Sequence, residues 1–269
     1  MKSTLFLLSL YVFSLSLQSC ASIGLAPGKK PLSDQEISDA FSHLSREDLK
    51  AETFFGTGQL IVEGRDSYSK APILFIGRRH PLELRIEITH PWGKPLANML
   101  VRKNGFLLVA FQESKYYVGD GAAMSRQGLL PLQLSPVELW GVARGYPFLE
   151  GFKPVFDGIP DGIGLKGEYG KVIRLDGLNP VSALLPEKEV EIAYDGLASG
   201  VGVAFAKEIR ITSIRDGLTV TVKREQMEVN TALSDDIFRI EIPEGYEKVN
   251  IRNSAGKPDS PRPDDSDGL

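Results

Sequence analysis

The sequence predicts a mainly β fold, a single half-open antiparallel β-barrel with helices over its concave face, and three observations lead there. From Phe54 onward apolar and polar residues alternate with a period of two. One short apolar helix interrupts that alternation in mid-chain, and one capped amphipathic helix precedes it. About ten or eleven strands fit the pattern, enough for one strongly curved sheet whose concave apolar face must be hidden from water. A β-sandwich with no cavity fits the same periodicity and is the alternative.

Residues 1–19 read as an export signal: Lys2 supplies the positive start, Leu5 to Phe13 is almost unbroken apolar sequence, and small or polar residues follow. The apolar run is too short for a membrane span, which needs about 20 residues. Cys20 is the only cysteine in the chain. An exported protein meets an oxidising compartment, so a lone thiol at the signal boundary needs its own explanation. Leu17-Gln18-Ser19-Cys20 resembles the bacterial lipobox, which implies cleavage before Cys20 and a covalent lipid on its sulfur. Two or more acyl chains hold a protein stably to a bilayer, whereas one holds it only marginally. The same resemblance, with Ala21 rather than Asp after the cysteine, implies the outer membrane. A secreted protein with a stray thiol is the alternative.

Residues 20–31 form a Gly/Pro/Lys tether without periodicity, suited to spacing a folded body from an anchor. The domain itself is expected over 32–250. It starts with a capping box, Ser33 to Glu36, followed at helical spacing by Ile37, Ala40, Phe41 and Leu44. Strand patterns then occupy 54–63, 72–79, 82–89, 96–103, 105–112 and 115–118, with Asn104-Gly105 as one hairpin turn. Residues 82–89 alternate without error.

The interruption falls at 135–145. Ser135-Pro136 sets an N-cap and a first-turn proline, Val137, Leu139, Trp140 and Val142 make an apolar helix, and Gly145 ends it. Residues 150–168, rich in Gly, Pro and Asp, read as a long loop. Strand patterns resume at 170–176, 188–194, 203–213, 217–228 and 236–242, with Asp216-Gly217 as a hairpin turn. Residues 251–269 are mostly polar and proline-rich and read as a disordered tail.

Composition and motifs exclude several functions. Thirty-one basic residues against 35 acidic ones leave a formal charge of −4, without the basic excess of a nucleic-acid binder. His43, His80 and His90 have no metal-ligand spacing, and no Gly-x-Ser-x-Gly elbow occurs. Gly170-Lys171 is followed by Val172, not by the Ser or Thr of a phosphate loop, and Asp157 and Asp161 lack calcium-loop spacing. The expectation is a binding protein and not an enzyme, with no metal and no cofactor apart from the lipid on Cys20.

Two segments stand out. His90-Pro91-Trp92-Gly93 reads as a tight turn that carries one of two tryptophans at its tip. Indole suits a bilayer interface, being apolar with an N–H that still meets water; the alternative is a turn folded back over its ring. Leu84, Ile86 and Ile88 share one strand face, which Phe75 and Leu108 extend, while the helical spacing of Trp140 marks a core or lid residue. These six are candidates to line an apolar cavity, and core packing explains them equally well.

The runs LRIEITHPWGKPLANMLV, LLPLQL…VELWGVARGYP and DDIFRIEIP resemble the outer-membrane lipoprotein receptor LolB and its relatives over roughly residues 53–242. The resemblance implies an unclosed barrel whose helices cover a cavity for the acyl chains of other lipoproteins. It also implies a soluble periplasmic LolA-like carrier as donor, the outer membrane as destination, a monomer facing the periplasm, and a protruding turn made by Pro91, Trp92 and Gly93. His90 stands where that family commonly has Asn, and 150–168 has no match in it. A non-catalytic envelope scaffold, or a carrier of another lipid, is the alternative function.

Overall fold

A computed structural model of the chain describes residues 30–121, 133–167, 170–200 and 202–251. The expected signal peptide, Cys20 with most of its tether, and the tail beyond Ile251 lie outside them.

Helix α1 (Asp34–Leu49) starts at the Ser33 capping box and buries Ile37, Ala40 and Leu44. The chain then meanders through β1 (Thr53–Glu63), β2 (Tyr68–Arg78), β3 (Glu83–Thr89), β4 (Pro95–Arg102), β5 (Gly105–Ala110) and β6 (Lys115–Gly119). Helix α2 (Pro136–Arg144) follows, with a second capping box between Ser135 and Glu138 and with Gly145 in the left-handed conformation at its end. A second meander runs through β7 (Lys153–Val155), β8 (Gly162–Lys166), β9 (Lys171–Asp176), β10 (Asn179–Leu185), β11 (Val190–Gly200), β12 (Val203–Ser213) and β13 (Leu218–Val229). Strand β14 (Glu247–Ile251) closes the described chain.

The 14 strands among the described residues form one sheet, ordered β14-β6-β5-β4-β3-β2-β1-β13-β12-β11-β10-β9-β8-β7. The two meanders join where β1 pairs with β13, and the ends, β14 and β7, do not meet. The barrel is therefore open. Every pairing is antiparallel except that of β14 with β6. Alternation assigns the faces: Phe54, Phe75, Leu84, Ile86, Met99, Ile211 and Val222 join the helices in one core on the concave side. A smaller cluster, Ile76, Leu100 and Phe238, lies on the convex side.

The strand count exceeds the expected ten or eleven, and one expected strand is absent. Residues 236–242 alternate in sequence, yet Asp235–Phe238 is a 3-10 turn capped by the Ser234 side chain. Phe238 is buried against the convex face, and Arg85 and Arg102 donate to the carbonyls of Ile237 and Phe238 at 2.7 and 3.3 Å. Those guanidinium donors replace the missing sheet partner. Residues 150–168, expected as a loop, contain β7 and β8. Gly162, Ile163, Gly164 and Leu165 are consecutively buried, and a strand covered on both faces shows no period of two. In β10, Pro180 shifts the register before Ser182, which hides the strand pattern there.

Candidate functional site: an apolar cavity and its hairpin rim

A cavity of about 120 Å³ lies between the concave face and α2. Its sheet side is built by register. Phe75 pairs with Ile86 and Ile86 with Met99, Ile73 pairs with Ile88, and on the other meander Leu60 pairs with Val222, Val62 with Val220, and Val220 with Ile211. Leu134, Leu139, Val142 and Ala143 line the helix side. Every lining residue among those described is apolar. The volume is well above the ~10–15 Å³ needed to admit one water, but such walls offer water no hydrogen bonds, so an apolar occupant is favoured. Burial falls from Phe75 and Ile73 to the half-buried Ile88, Leu60 and Val62, so the cavity opens toward the end where the β1–β2, β3–β4 and β12–β13 turns lie.

Buried cations fix the helical side. Arg224 donates to the carbonyls of Val142 and Ala143 at the end of α2 and to that of Ala206, and its guanidinium carbon stands 5.3 Å from the Phe75 ring centre. Arg144 donates to the Glu47 carbonyl in the last turn of α1 and lies over the Tyr146 ring. Arg79 pairs with Asp48 and lies against both Trp140 and Phe148. Each of the three reaches carbonyls near a helix C-terminus, where the backbone lacks donors and the helix dipole is negative. Burial pulls the Arg224 guanidinium down to about 9 and that of Arg144 to about 10. It also pulls the Lys171 ammonium, which donates to the Phe148 carbonyl, down to about 8. Burial raises the hydroxyls of Tyr146 and Tyr194, so both stay protonated. Lys188 pairs with Glu138 at 2.6 Å and anchors the start of α2.

The six cavity candidates separate. Phe75, Ile86 and Ile88 line the cavity. Leu84 and Trp140 are fully buried in the adjoining core and Leu108 packs half-buried against it, none of the three at the cavity wall. Trp140 instead sits edge-on to Phe54 and Phe148. Residues 90–94 form a tight turn: Gly93 donates to the His90 carbonyl at 2.8 Å, His90 to the Lys94 carbonyl at 2.7 Å, and Gly93 has φ +81°. Trp92 is 85% exposed, the most exposed large apolar residue among those described. Its ring centre lies 4.7 Å from that of His90, and Pro91 and Gly93 are exposed beside it. His43, His80 and His90 fall on α1, on the β2–β3 connection and on this turn. Among the described residues no three His, Cys, Asp or Glu side chains gather as a metal site.

No family model and no curated protein matches the chain. Solved structures do. A LolA superfamily protein from Nitrosomonas europaea aligns over 76% of this chain and 97% of its own at 13% identity and TM-score 0.55. This chain has a LolA-like fold. An outer membrane lipoprotein-sorting protein domain, so assigned, from Vibrio parahaemolyticus aligns over 75% of this chain and 97% of its own at 10% identity and TM-score 0.53. A DUF1329 family protein from Desulfovibrio piger aligns over 76% and 97% at 15% identity and TM-score 0.53. The likeness is one of backbone arrangement, so the chemistry of the cavity in this chain rests on its own residues.

Most of that lining was readable from sequence only in part. Leu60 and Val62, or Val220 and Val222, alternate as plainly as Ile86 and Ile88 do, but nothing in the sequence pairs β1 with β13 across more than 150 residues. The buried arginines gave no signal, since arginine is rarely fully buried and each here depends on distant partners.

Proposed function

We propose that this chain is a LolB-like lipoprotein, held by a lipid on Cys20 at the periplasmic face of the outer membrane. As a monomer it takes the acyl chains of other lipoproteins from a soluble LolA-like carrier and passes them to the bilayer. The observation that carries this reading is the cavity, whose walls among the described residues are all apolar side chains and which opens at the end where Trp92 protrudes. Exposing a chain of about sixteen carbons to water would cost on the order of 12 kcal/mol at ~0.8 kcal/mol per CH₂, so cargo must pass directly from one apolar site to another. Such transfer moves no bond and needs no nucleophile, metal or cofactor. Trp92, Pro91 and Gly93 act as the membrane-touching tip, and Phe75, Ile86 and Ile88 as part of the acyl-chain wall.

Depletion followed by membrane fractionation tests the proposal. Other lipoproteins should accumulate away from the outer membrane; their arrival at normal rates would contradict the receptor role. Replacing Cys20 by Ala should free the protein from membranes, and continued sedimentation with them would contradict the lipid anchor.

A further inference from the structure

Trp92 is not the only large apolar side chain standing in water at that end of the sheet. Tyr68, which opens β2 just after the β1–β2 turn, is 66% exposed, and Ile214, in the β12–β13 turn, is 59% exposed. The pairing places these tips side by side. Tyr68 pairs with Glu63, Glu63 with Thr219, and a Cβ on Gly64 would lie 3.8 Å from the Leu218 side chain, so the β1–β2 and β12–β13 turns are neighbours. On the other flank Ile88 pairs with Ile73, from which β2 leads back to Tyr68 while β3 runs on from Ile88 into the Trp92 turn.

The surroundings of the three tips are charged. Arg65, Lys70 and Lys94 are exposed and in no ion pair among the described residues, whereas Arg215 is bridged to Glu189 at 2.7 Å. Asp66 and Asp216 are the acids of the same turns. A protein-binding site concentrates its apolar groups in one continuous buried centre. Here they stand on separate turns with cations between them, and two of the three are the aromatic types with a polar end that settle at headgroup level.

We infer that the β1–β2, β3–β4 and β12–β13 turns form one bilayer-contacting platform, in which Tyr68, Trp92 and Ile214 enter the headgroup region together and Lys94, Lys70 and Arg65 meet anionic headgroups. The inference rests on the membrane role proposed for Trp92 and extends it from a single tip to a three-point contact. A three-point contact fixes an orientation. The cavity opens at this same end, so docking turns its mouth to the membrane.

The test is partition of the full chain carrying Cys20→Ala onto vesicles of phosphatidylethanolamine and phosphatidylglycerol. Tyr68→Glu and Ile214→Glu should each weaken partition roughly tenfold, as loss of one buried apolar side chain predicts. Lys94→Glu should weaken it about fivefold or more at low salt. Thermal midpoints should stay unchanged, because all these side chains are exposed. If Trp92→Glu weakens binding while Tyr68→Glu and Ile214→Glu do not, the platform is wrong and the single-tip reading stands. If Trp92→Glu is also without effect, or the parent does not bind vesicles, both are wrong. Variants that keep full vesicle binding but no longer accept cargo from a carrier would identify the face as a protein-docking site and overturn the platform.

Discussion

Arg79 donates to the Asp48 carboxylate at 2.6 Å with both side chains withdrawn from water. The second Asp48 oxygen accepts from the Leu149 backbone at 2.9 Å, and Arg79 also donates to the carbonyls of Asp48 and Ala51. One ion pair thus joins the end of α1, the end of β2 and the segment after α2. Arg79 also meets the half-exposed Glu150 carboxylate at 3.3 Å, but Asp48 is its buried partner. Removing Asp48 leaves the buried guanidinium with only that outlying acid, so Asp48→Ala should cost about 3 kcal/mol in denaturant unfolding. Asp48→Leu with Arg79→Met should cost clearly less than the sum of the two single changes.

Gly77 is required by the ring beside it. A Cβ there would lie 2.2 Å from Cζ at the outer end of the Phe54 ring, which sits edge-on to Trp140. Gly77→Ala should therefore destabilise the protein by about 1–3 kcal/mol, as overpacking does. Adding Phe54→Leu should recover part of that loss in the same melt.

Lys171 supplies a pH signature. Its ammonium ordinarily titrates at 10.5 and burial lowers it to about 8, so between those values the unfolded chain binds the extra proton. Stability from this group consequently rises from pH 8 to 10.5, and the cost of burying the charge is felt in full below pH 8. Lys171→Met should remove the effect. The stability difference between parent and variant should shift by about 3 kcal/mol in the parent's favour from pH 7 to 10.5, at ~1.36 kcal/mol per pKa unit. A pH-independent difference would contradict the burial of the charge.

Trp92→Glu should leave folding almost untouched, within about 0.5 kcal/mol, because the ring is 85% exposed. Cargo delivery should nonetheless fall. A large loss of thermal stability would mean that the ring packs against the protein.

The fold class was legible in the sequence because most strands have one wet face, and Leu84, Ile86 and Ile88 fall on the dry one together. The two described α-helices were legible from their caps, Ser33 and Ser135. Legibility failed where that alternation is not the cause of structure. Strand β8 is buried on both faces, and Phe238 is buried without a strand because guanidinium groups satisfy its backbone. It failed again at the cavity, whose second wall is β13, brought to β1 only by closure of the two meanders. Trp140, apolar and on the helix that covers the cavity, lies one layer too deep to touch it.

Binding of a fluorescent long-chain acyl probe to the full chain, compared with Ala143→Leu and Val222→Phe, tests the central claim most directly. Both substitutions add bulk to the cavity wall without adding polarity. Saturable binding of one probe per chain, reduced at least tenfold by either variant while the fold is retained, is the predicted result, since a blocked cavity forfeits several buried CH₂ groups at ~0.8 kcal/mol each. Binding that is absent in the parent, or indifferent to both substitutions, would contradict an acyl-chain cavity between the sheet and α2.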